Sequence, residues 1–280
     1  MSPRICVLIP AYNRADLIGR AIGSVLASDY PDLRVIVSDN GSTDGCLAAA
    51  RSAAGGDPRF EFIAHHENRG PLPNWRSCLE AAKGDLVHWL WSDDWVEPAF
   101  YTTLVEGMEA QGAQMALCRP KIVSASEGWE RISACSKGPR HEARTLLTAA
   151  VRRNALPVSP AAYLLPLEAV LRNFCDDIPT IGDLDCTRRA IGSDLLMILV
   201  SLRASQAVYV HGEPLVSFNA HEASISVTSG ARLLEGHYAW AKAWWCRRMG
   251  LPRFWSLKDV RRLWRGGHRR AGLWALRGGL

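Results

Sequence analysis

The residues best suited to chemistry are the adjacent carboxylates of Asp93 and Asp94, preceded by Ser92. They close the apolar run Leu86-Val87-His88-Trp89-Leu90-Trp91, which lies between Gly84 and Pro98. A run of that length between turn formers reads as a buried strand over 86–91. Two carboxylates side by side at a buried exit are costly unless a positive charge neutralises them. A divalent cation carrying a diphosphate would do so through oxygen ligands. Two further polar clusters are of similar kind: Asp39-Asn40-Gly41-Ser42-Thr43-Asp44-Gly45 and Glu67-Asn68-Arg69-Gly70.

Regular elements must bring these clusters together. Arg4 to Pro10 reads as a buried strand, and Leu17, Ala21, Ile22, Val25 and Leu26 have helical spacing within 16–28. Leu33 to Ser38 is a second strand, Cys46 to Ala54 a helix, and Phe60 to Ala64 a third strand. Trp75 to Lys83 reads as a helix that Asn74 starts and Trp75 packs. The alternation implies a parallel sheet with crossover helices. In such sheets ligands sit outside the carboxyl ends of the strands, where all these clusters fall. Further on, helices are expected over 100–111 and 195–203, and strands over 115–123, 161–165 and 207–210. Residues 214–221 read as extended, and 124–144 as a polar loop. Ser193 or Asp194 is placed to cap the helix that follows. His65-His66 lacks the spacing of a metal pair on a helix and is expected to face solvent.

In this order and spacing the motifs resemble family 2 glycosyltransferases. They are Val7-Leu8-Ile9-Pro10-Ala11-Tyr12-Asn13-Arg14, the Asp39 and Asn68 clusters, Ser92-Asp93-Asp94-Trp95, Gly192-Ser193-Asp194-Leu195 and Pro214 to His221. The resemblance covers roughly residues 4–226. It implies the GT-A fold: α/β, a Rossmann-type, mostly parallel sheet flanked by helices. It also implies an inverting transfer of sugar from a nucleoside diphosphate donor, UDP- or dTDP-linked, to an acceptor hydroxyl. Pro10, Ala11, Tyr12 and Asn13 would flank the nucleobase, Asp39 and Gly41 would receive it, and Asn68 and Arg69 would close its other side. Ser92, Asp93 and Asp94 would hold the diphosphate, with Asp93, Asp94 and His221 as ligands of Mn²⁺ or Mg²⁺. Many members carry an Asp at the position of Trp91, so one carboxylate of the usual set is missing. Asp194 matches the family's acidic base, which an acceptor hydroxyl needs. Asp176, Asp177, Asp183 and Asp185 are alternatives nearby. The rival on the same fold is a catalytically impaired sugar-nucleotide-binding or scaffold protein.

Composition narrows the remaining classes. The 280 residues are 48% hydrophobic and 22% charged, an ordinary globular balance. The eight cysteines form no CxxC pair and read as reduced thiols. With no leader-like start, this predicts a cytoplasmic protein. No apolar run is long enough to span a membrane. The absence of GxGxxG argues against a dinucleotide oxidoreductase. A nucleotidyltransferase would want a glycine-rich basic loop where Pro10-Ala11-Tyr12-Asn13 stands. The net charge of +5 is uneven: residues 232–280 hold twelve Lys and Arg, two acidic residues and six of the eleven tryptophans. The expected organisation is 1–98 for the donor, 99–231 for the acceptor side and 232–280 as a basic helical extension. Ser256-Leu257-Lys258-Asp259 looks like a capped helix start. Arginines with interfacial tryptophans suit an anionic membrane surface and a glycan, lipid-linked or small-molecule acceptor. Tryptophans packed on the main domain are the plainer alternative, and nucleic acid is not expected, since the body is slightly acidic.

Overall fold

The computed structural model describes residues 2–124, 126–134, 138–222, 224, 228–251 and 257–277. The first strands are β1 (Ile5–Ala11), β2 (Leu33–Asp39), β3 (Phe60–Ala64) and β4 (Leu86–Trp89). Between them run α1 (Ala15–Leu26), α2 (Cys46–Ala54) and α3 (Pro71–Ala81). β1 is flanked in parallel by β2 and β4, with Ala11 opposite Asp39, and β2 pairs in parallel with β3. All seven residues of β1 are buried, as a central strand covered by helices on both faces requires. The parallel crossovers place the Asp39 and Asn68 loops and Asp93 at the strands' carboxyl ends, as the alternation predicts.

The second half extends the sheet. It contains β5 (Trp95–Val96), α4 (Phe100–Gln111), β6 (Met115–Ser124), β7 (Trp129–Ile132), β8 (Arg140–Glu142) and α5 (Ala143–Arg153). β9 (Tyr163–Pro166), α6 (Leu167–Asn173), α7 (Cys186–Arg189), α8 (Ser193–Ala204) and β10 (Ala207–Asn219) follow. The sheet order is β3-β2-β1-β4-β9-β6-β10-β5, with β7 paired to β6 and β8 to β10. β9 runs antiparallel to both β4 and β6, while β6 and β10 are parallel.

Several expected boundaries move for local reasons. α3 starts at Pro71, not Trp75, because Gly70 turns at a φ of 85° and proline suits the first helical turn. β4 ends at Trp89, so Leu90 and Trp91 already belong to the exit loop. The polar stretch 124–144 is not all loop: β7 pairs Trp129–Ile132 against Lys121–Ser124 on an exposed edge. Residues 160–162 form a 3₁₀ turn before β9. The two segments expected over 207–221 are one strand, β10, with register shifts between His211 and Val216 around Pro214. His88 in β4 is fully buried, its Nδ1 2.9 Å from the Tyr101 hydroxyl and its Nε2 3.0 Å from the Ala161 carbonyl. Burial pushes its pKa down to about 4, so it is a neutral core group.

The basic end forms α9 (Gly230–Arg248), α10 (Leu257–Arg265) and α11 (Arg269–Arg277). Trp240 and Trp245 are buried, Trp244 and Trp274 are partly buried against the core, and Trp264 is 41% exposed. Trp255 and the expected Ser256 cap lie outside the described residues. The buried Lys242 ammonium on α9 pairs with Asp259 on α10 at 2.8 Å, and Asn154 accepts a second hydrogen bond from it at 2.6 Å. Among the described residues seven cysteines are free and buried.

Candidate functional site

The site begins at the β2 exit. Asp39 is 5% exposed, and its two oxygens differ. Oδ2 accepts the Ser42 backbone N–H at 3.1 Å. Oδ1 is buried and has no hydrogen-bond partner among the described residues. A buried carboxylate oxygen left open is a vacancy for a donor group. Gly41 keeps the wall beside it close: its φ is +71°, and a Cβ there would sit 2.4 Å from the Glu67 carbonyl carbon. Only glycine fits both constraints.

Asn40 ties this loop to the next. Its Nδ2 donates to Asn68 Oδ1 and to the Gly70 carbonyl, each at 3.0 Å, and its Oδ1 accepts the Arg69 N–H at 3.1 Å. Asn68 and Arg69 therefore border the Asp39 loop, both exposed. On the other side, Pro10 and Ala11 end β1, Tyr12 is 40% exposed, and Asn13 turns at a φ of 50°. Asn13 Oδ1 accepts the Thr43 N–H at 2.9 Å, and its own N–H donates to Ser42 Oγ. Asp44 accepts the Ala15 and Cys46 N–H groups, so one carboxylate anchors the first turns of α1 and α2.

The same turn reaches the acidic pair. Arg14 donates to the Asn13 carbonyl at 3.0 Å, and its Nε lies 4.0 Å from Asp93 Oδ2. Asp93 Oδ2 is also 2.9 Å from His221 Nε2. Asp39, Ser42, Asn13, Arg14, Asp93 and His221 thus form one continuous polar chain, and Ser92, 6% exposed, precedes it in the exit loop. Asp94 behaves differently from its neighbour. It is 5% exposed, and its Oδ1 accepts the Asn219 N–H at 2.9 Å. Burial first, and the Asp93 charge second, hold its carboxyl well above the usual carboxylate range. Asp94, expected as a metal ligand, therefore fastens the end of β10, two residues before His221, whereas Asp93 faces the polar chain. Among the described residues no three His, Cys, Asp or Glu side chains cluster as a complete metal shell. The pair Asp93 and His221 still fits a cation whose remaining ligands are phosphate oxygens and water.

Trp91 occupies the position where a third carboxylate was expected to be missing. Its indole packs on Trp75 with ring centroids 4.9 Å apart, and its Nε1 donates to Ser159 Oγ at 2.8 Å. Asn74, expected to start the helix, lies inside α3 instead; it is 3% exposed and exchanges hydrogen bonds with Ser38. His65, expected to face solvent, is instead half-buried between Ser38 Oγ and Arg69 Nη1, at 3.5 and 3.4 Å. Burial, and then Arg69, lower its pKa.

Asp194 stands apart from these groups at the start of α8. It caps the turn in part: Oδ1 accepts the Gly192 and Leu195 N–H groups, each at 2.8 Å. Burial pushes its carboxyl up to about 6 against the pull of its hydrogen bonds. Such a group is ionised near neutral pH yet basic enough to take a proton. The alternatives are engaged elsewhere: Asp176 with Arg76, Asp177 with Arg248, Asp183 with His268, and Asp185 capping α7. A cleft of 540 Å³ between α3 and α7 is lined by Arg69, Arg76, Thr187 and Arg188.

Arg14, Asn40 and Asp44 organise the site yet were read only as parts of motifs. Their signal was available in principle, because Asn and Asp in dense turns bond nearby backbone.

The sequence model described as Glycosyl transferase family 2 matches residues 6–155. The succinoglycan biosynthesis protein ExoO of Rhizobium meliloti is 38% identical over 122 residues, 44% of this chain and 34% of that protein. A GalNAc(5)-diNAcBac-PP-undecaprenol beta-1,3-glucosyltransferase of Campylobacter jejuni is 31% identical over 105 residues, 37% of this chain and 34% of that protein. The match thus spans about a third of the length of these curated relatives. Among solved structures, S. aureus TarS 1–349 in complex with UDP-GlcNAc superposes with a TM-score of 0.65 at 16% identity, covering 97% of this chain and 81% of that one. The mannosyltransferase PcManGT of Pyrobaculum calidifontis, in complex with GDP-Man and Mn²⁺, gives 0.60 at 18% identity, over 100% of this chain and 77% of that one. These likenesses establish the GT-A fold, and with the match over residues 6–155 the chain belongs to glycosyl transferase family 2.

Proposed function

We propose that this protein is an inverting glycosyltransferase that moves a sugar from a UDP- or dTDP-linked donor to an acceptor hydroxyl in polysaccharide or glycoconjugate synthesis. The observation that carries this reading is the open, buried Oδ1 of Asp39. With Oδ2 held by Ser42, the carboxylate offers one acceptor atom, which suits the single N3–H of uracil or thymine. Guanine would present two adjacent donors and engage both oxygens. Tyr12 and Asn13 on one side and Asn68 and Arg69 on the other border the space beside it.

The diphosphate then lies toward Arg14, Asp93 and His221. Arg14 and His221 hold the Asp93 carboxylate in place, and Arg14 adds positive charge where the leaving group gains negative charge. A Mn²⁺ or Mg²⁺ ion held by Asp93 and His221 would supply further neutralisation of that charge. Asp94 contributes by fixing the strand end that carries His221. Asp194 takes the proton of the acceptor hydroxyl as its oxygen bonds to the anomeric carbon. The bond from that carbon to the diphosphate breaks on the opposite face, its electron pair leaves with the phosphate, and the configuration inverts.

Residues 1–98 are assigned to the donor, 99–231 to the acceptor side and 232–280 to the basic helical extension. Exposed Arg261, Arg265, Arg269 and Arg270 around Trp264 and Leu273 support contact with an anionic membrane surface carrying the acceptor. The rival, an impaired sugar-nucleotide-binding protein, draws on Trp91 in place of a carboxylate. The test is a melting series with UDP, UDP-glucose, UDP-GlcNAc, dTDP and dTDP-glucose, with and without Mn²⁺, paired with release of the nucleoside diphosphate. A ligand that binds only the native state raises the melting temperature. Stabilisation and turnover, both lost in Asp93→Ala, are expected. Stabilisation without turnover favours the rival, and no stabilisation by any uridine or thymidine nucleotide refutes the donor site.

A further inference from the structure

The Asp194 carboxylate is shared between two parts of the chain. Oδ1 belongs to the turn before α8, through Gly192 and Leu195. Oδ2 accepts the phenol hydroxyl of Tyr238 at 2.7 Å. Tyr238 lies on α9, far beyond residue 155 where the family match stops. The two segments are seated closely: Gly192 has a φ of +105°, and a Cβ there would lie 2.5 Å from the Ala241 side chain. Ala241 and Tyr238 are three residues apart on α9 and share one face. The helix that touches Gly192 therefore delivers the phenol to Asp194.

A carboxylate oxygen has about two acceptor positions. Oδ2 uses one on the Tyr238 hydroxyl and keeps the other beside it. We propose that Tyr238 is a positioning residue for the base, holding one carboxylate oxygen toward the acceptor and favouring the ionised form of Asp194. This rests on the assignment of Asp194 made above. The consequence is that α9 is part of the acceptor site, not an appendage to it.

The surroundings suit this role. Among the described residues Tyr238 is the one side chain hydrogen-bonded to Asp194. Nearby Cys186 is a thiol that burial keeps neutral, and His237 directs its Nδ1 to the Leu233 carbonyl. Asp185 is turned to Thr187 and Arg188, and Arg189 to Ser229. Burial and the Asp194 charge keep the Tyr238 phenol protonated at neutral pH. Beyond it lies an 80 Å³ cavity lined in part by Glu235, Asp259 and Arg262. Loss of one hydroxyl beside existing space leaves the packing of α9 intact.

The sign follows from the bond. A donor to the charged form lowers a carboxyl pKa, and burial raises it. Tyr238→Phe removes the donor and leaves the burial. The test uses the full chain labelled with ¹³C at the aspartate carboxyls, with the Asp194 resonance identified by its loss in Asp194→Asn. The wild-type midpoint is expected near 6 and that of Tyr238→Phe higher by about one pH unit or more. The acidic limb of UDP release should move with it, while stabilisation by UDP stays unchanged. An unmoved midpoint overturns the role of Tyr238, as does a uniform loss of turnover at every pH. Asp194→Asn with normal turnover removes the base assignment itself. An inactive Asp194→Asn beside an unmoved Tyr238→Phe midpoint removes only the positioning role.

Discussion

Asp39→Asn separates the donor reading from a purely structural one. In the native chain Oδ2 is occupied by the Ser42 N–H, and Oδ1 is buried without a partner. Asparagine keeps an oxygen for Ser42 and replaces the open acceptor with an amide donor. The fold should therefore survive, because no bond made within the chain is lost. The nucleobase N–H would instead meet another N–H. A hydrogen bond to a charged acceptor contributes about 1.5–3 kcal/mol, and its loss weakens binding about 10- to 150-fold. At a ligand concentration one hundred times the dissociation constant, binding stabilises the native state by about 2.7 kcal/mol. A loss in the middle of that range leaves about 0.8 kcal/mol. At roughly 2–4 °C per kcal/mol, the gain in melting temperature with UDP falls from about 5–11 °C to about 2–3 °C. Melting with and without UDP reads both quantities at once. Equal UDP-induced shifts in the two proteins would refute a base-binding role for Asp39. A large drop in the unliganded melting temperature would instead make Asp39 a structural residue.

Gly41→Ala should lower stability by about 2–5 kcal/mol, from a left-handed backbone plus a Cβ 2.4 Å from the Glu67 carbonyl carbon, and should also abolish the UDP shift; urea unfolding with a loss under 1 kcal/mol would show that the Asn68 loop yields freely. Asp194→Asn should stabilise the protein in a pH-dependent way. The folded carboxyl is raised from 3.8 to about 6, so between those values the native state binds more protons than the unfolded chain and stability falls as pH rises. The variant should gain about 2–3 kcal/mol at pH 7 and almost nothing at pH 4, with unfolding at both pH values as the check. Lys242→Met removes the buried ammonium that pairs with Asp259 and should cost about 3 kcal/mol or more, whereas Lys242→Met with Asp259→Leu should recover most of it. A single variant as stable as wild type would mean that α10 docks without the ion pair.

The donor half was legible because its signals are local. Period-two and continuous apolar runs, glycine and proline punctuation, and helical spacing depend on neighbours within a dozen residues. Even there, α3 begins at Pro71, four residues before the expected Trp75, because proline suits a helix's first turn. Residues 124–144 gave no strand signal because β7 is an exposed edge with nothing to bury. The site was legible as motifs but not as geometry. Asp93 and Asp94 look equivalent in the sequence, and only the β10 backbone at Asn219 separates them. Tyr238 had no readable signal, because its partner lies 44 residues away across a packing contact that no periodicity encodes.

The Trp91 position alters the charge balance more than the shape of the site. A carboxylate there would stand two residues before Asp93 and repel a diphosphate unless a cation lay between. The indole removes that charge and turns instead to the second half of the sheet, through Ser159. Ser159 Oγ also accepts the Ala161 N–H, at the turn leading into β9. Trp91 thus joins the β4 exit loop to the turn before β9 through a neutral hydrogen bond. Near it, the Asp93 carboxylate is flanked by Arg14 and His221. On the proposed reading, a diphosphate there meets fewer negative charges, and the Arg14 guanidinium shares its stabilisation with a cation held by Asp93 and His221. A residue that looks like a lost ligand in the sequence thus serves, in the fold, as a packed hydrogen-bond donor between the β4 exit and the turn before β9.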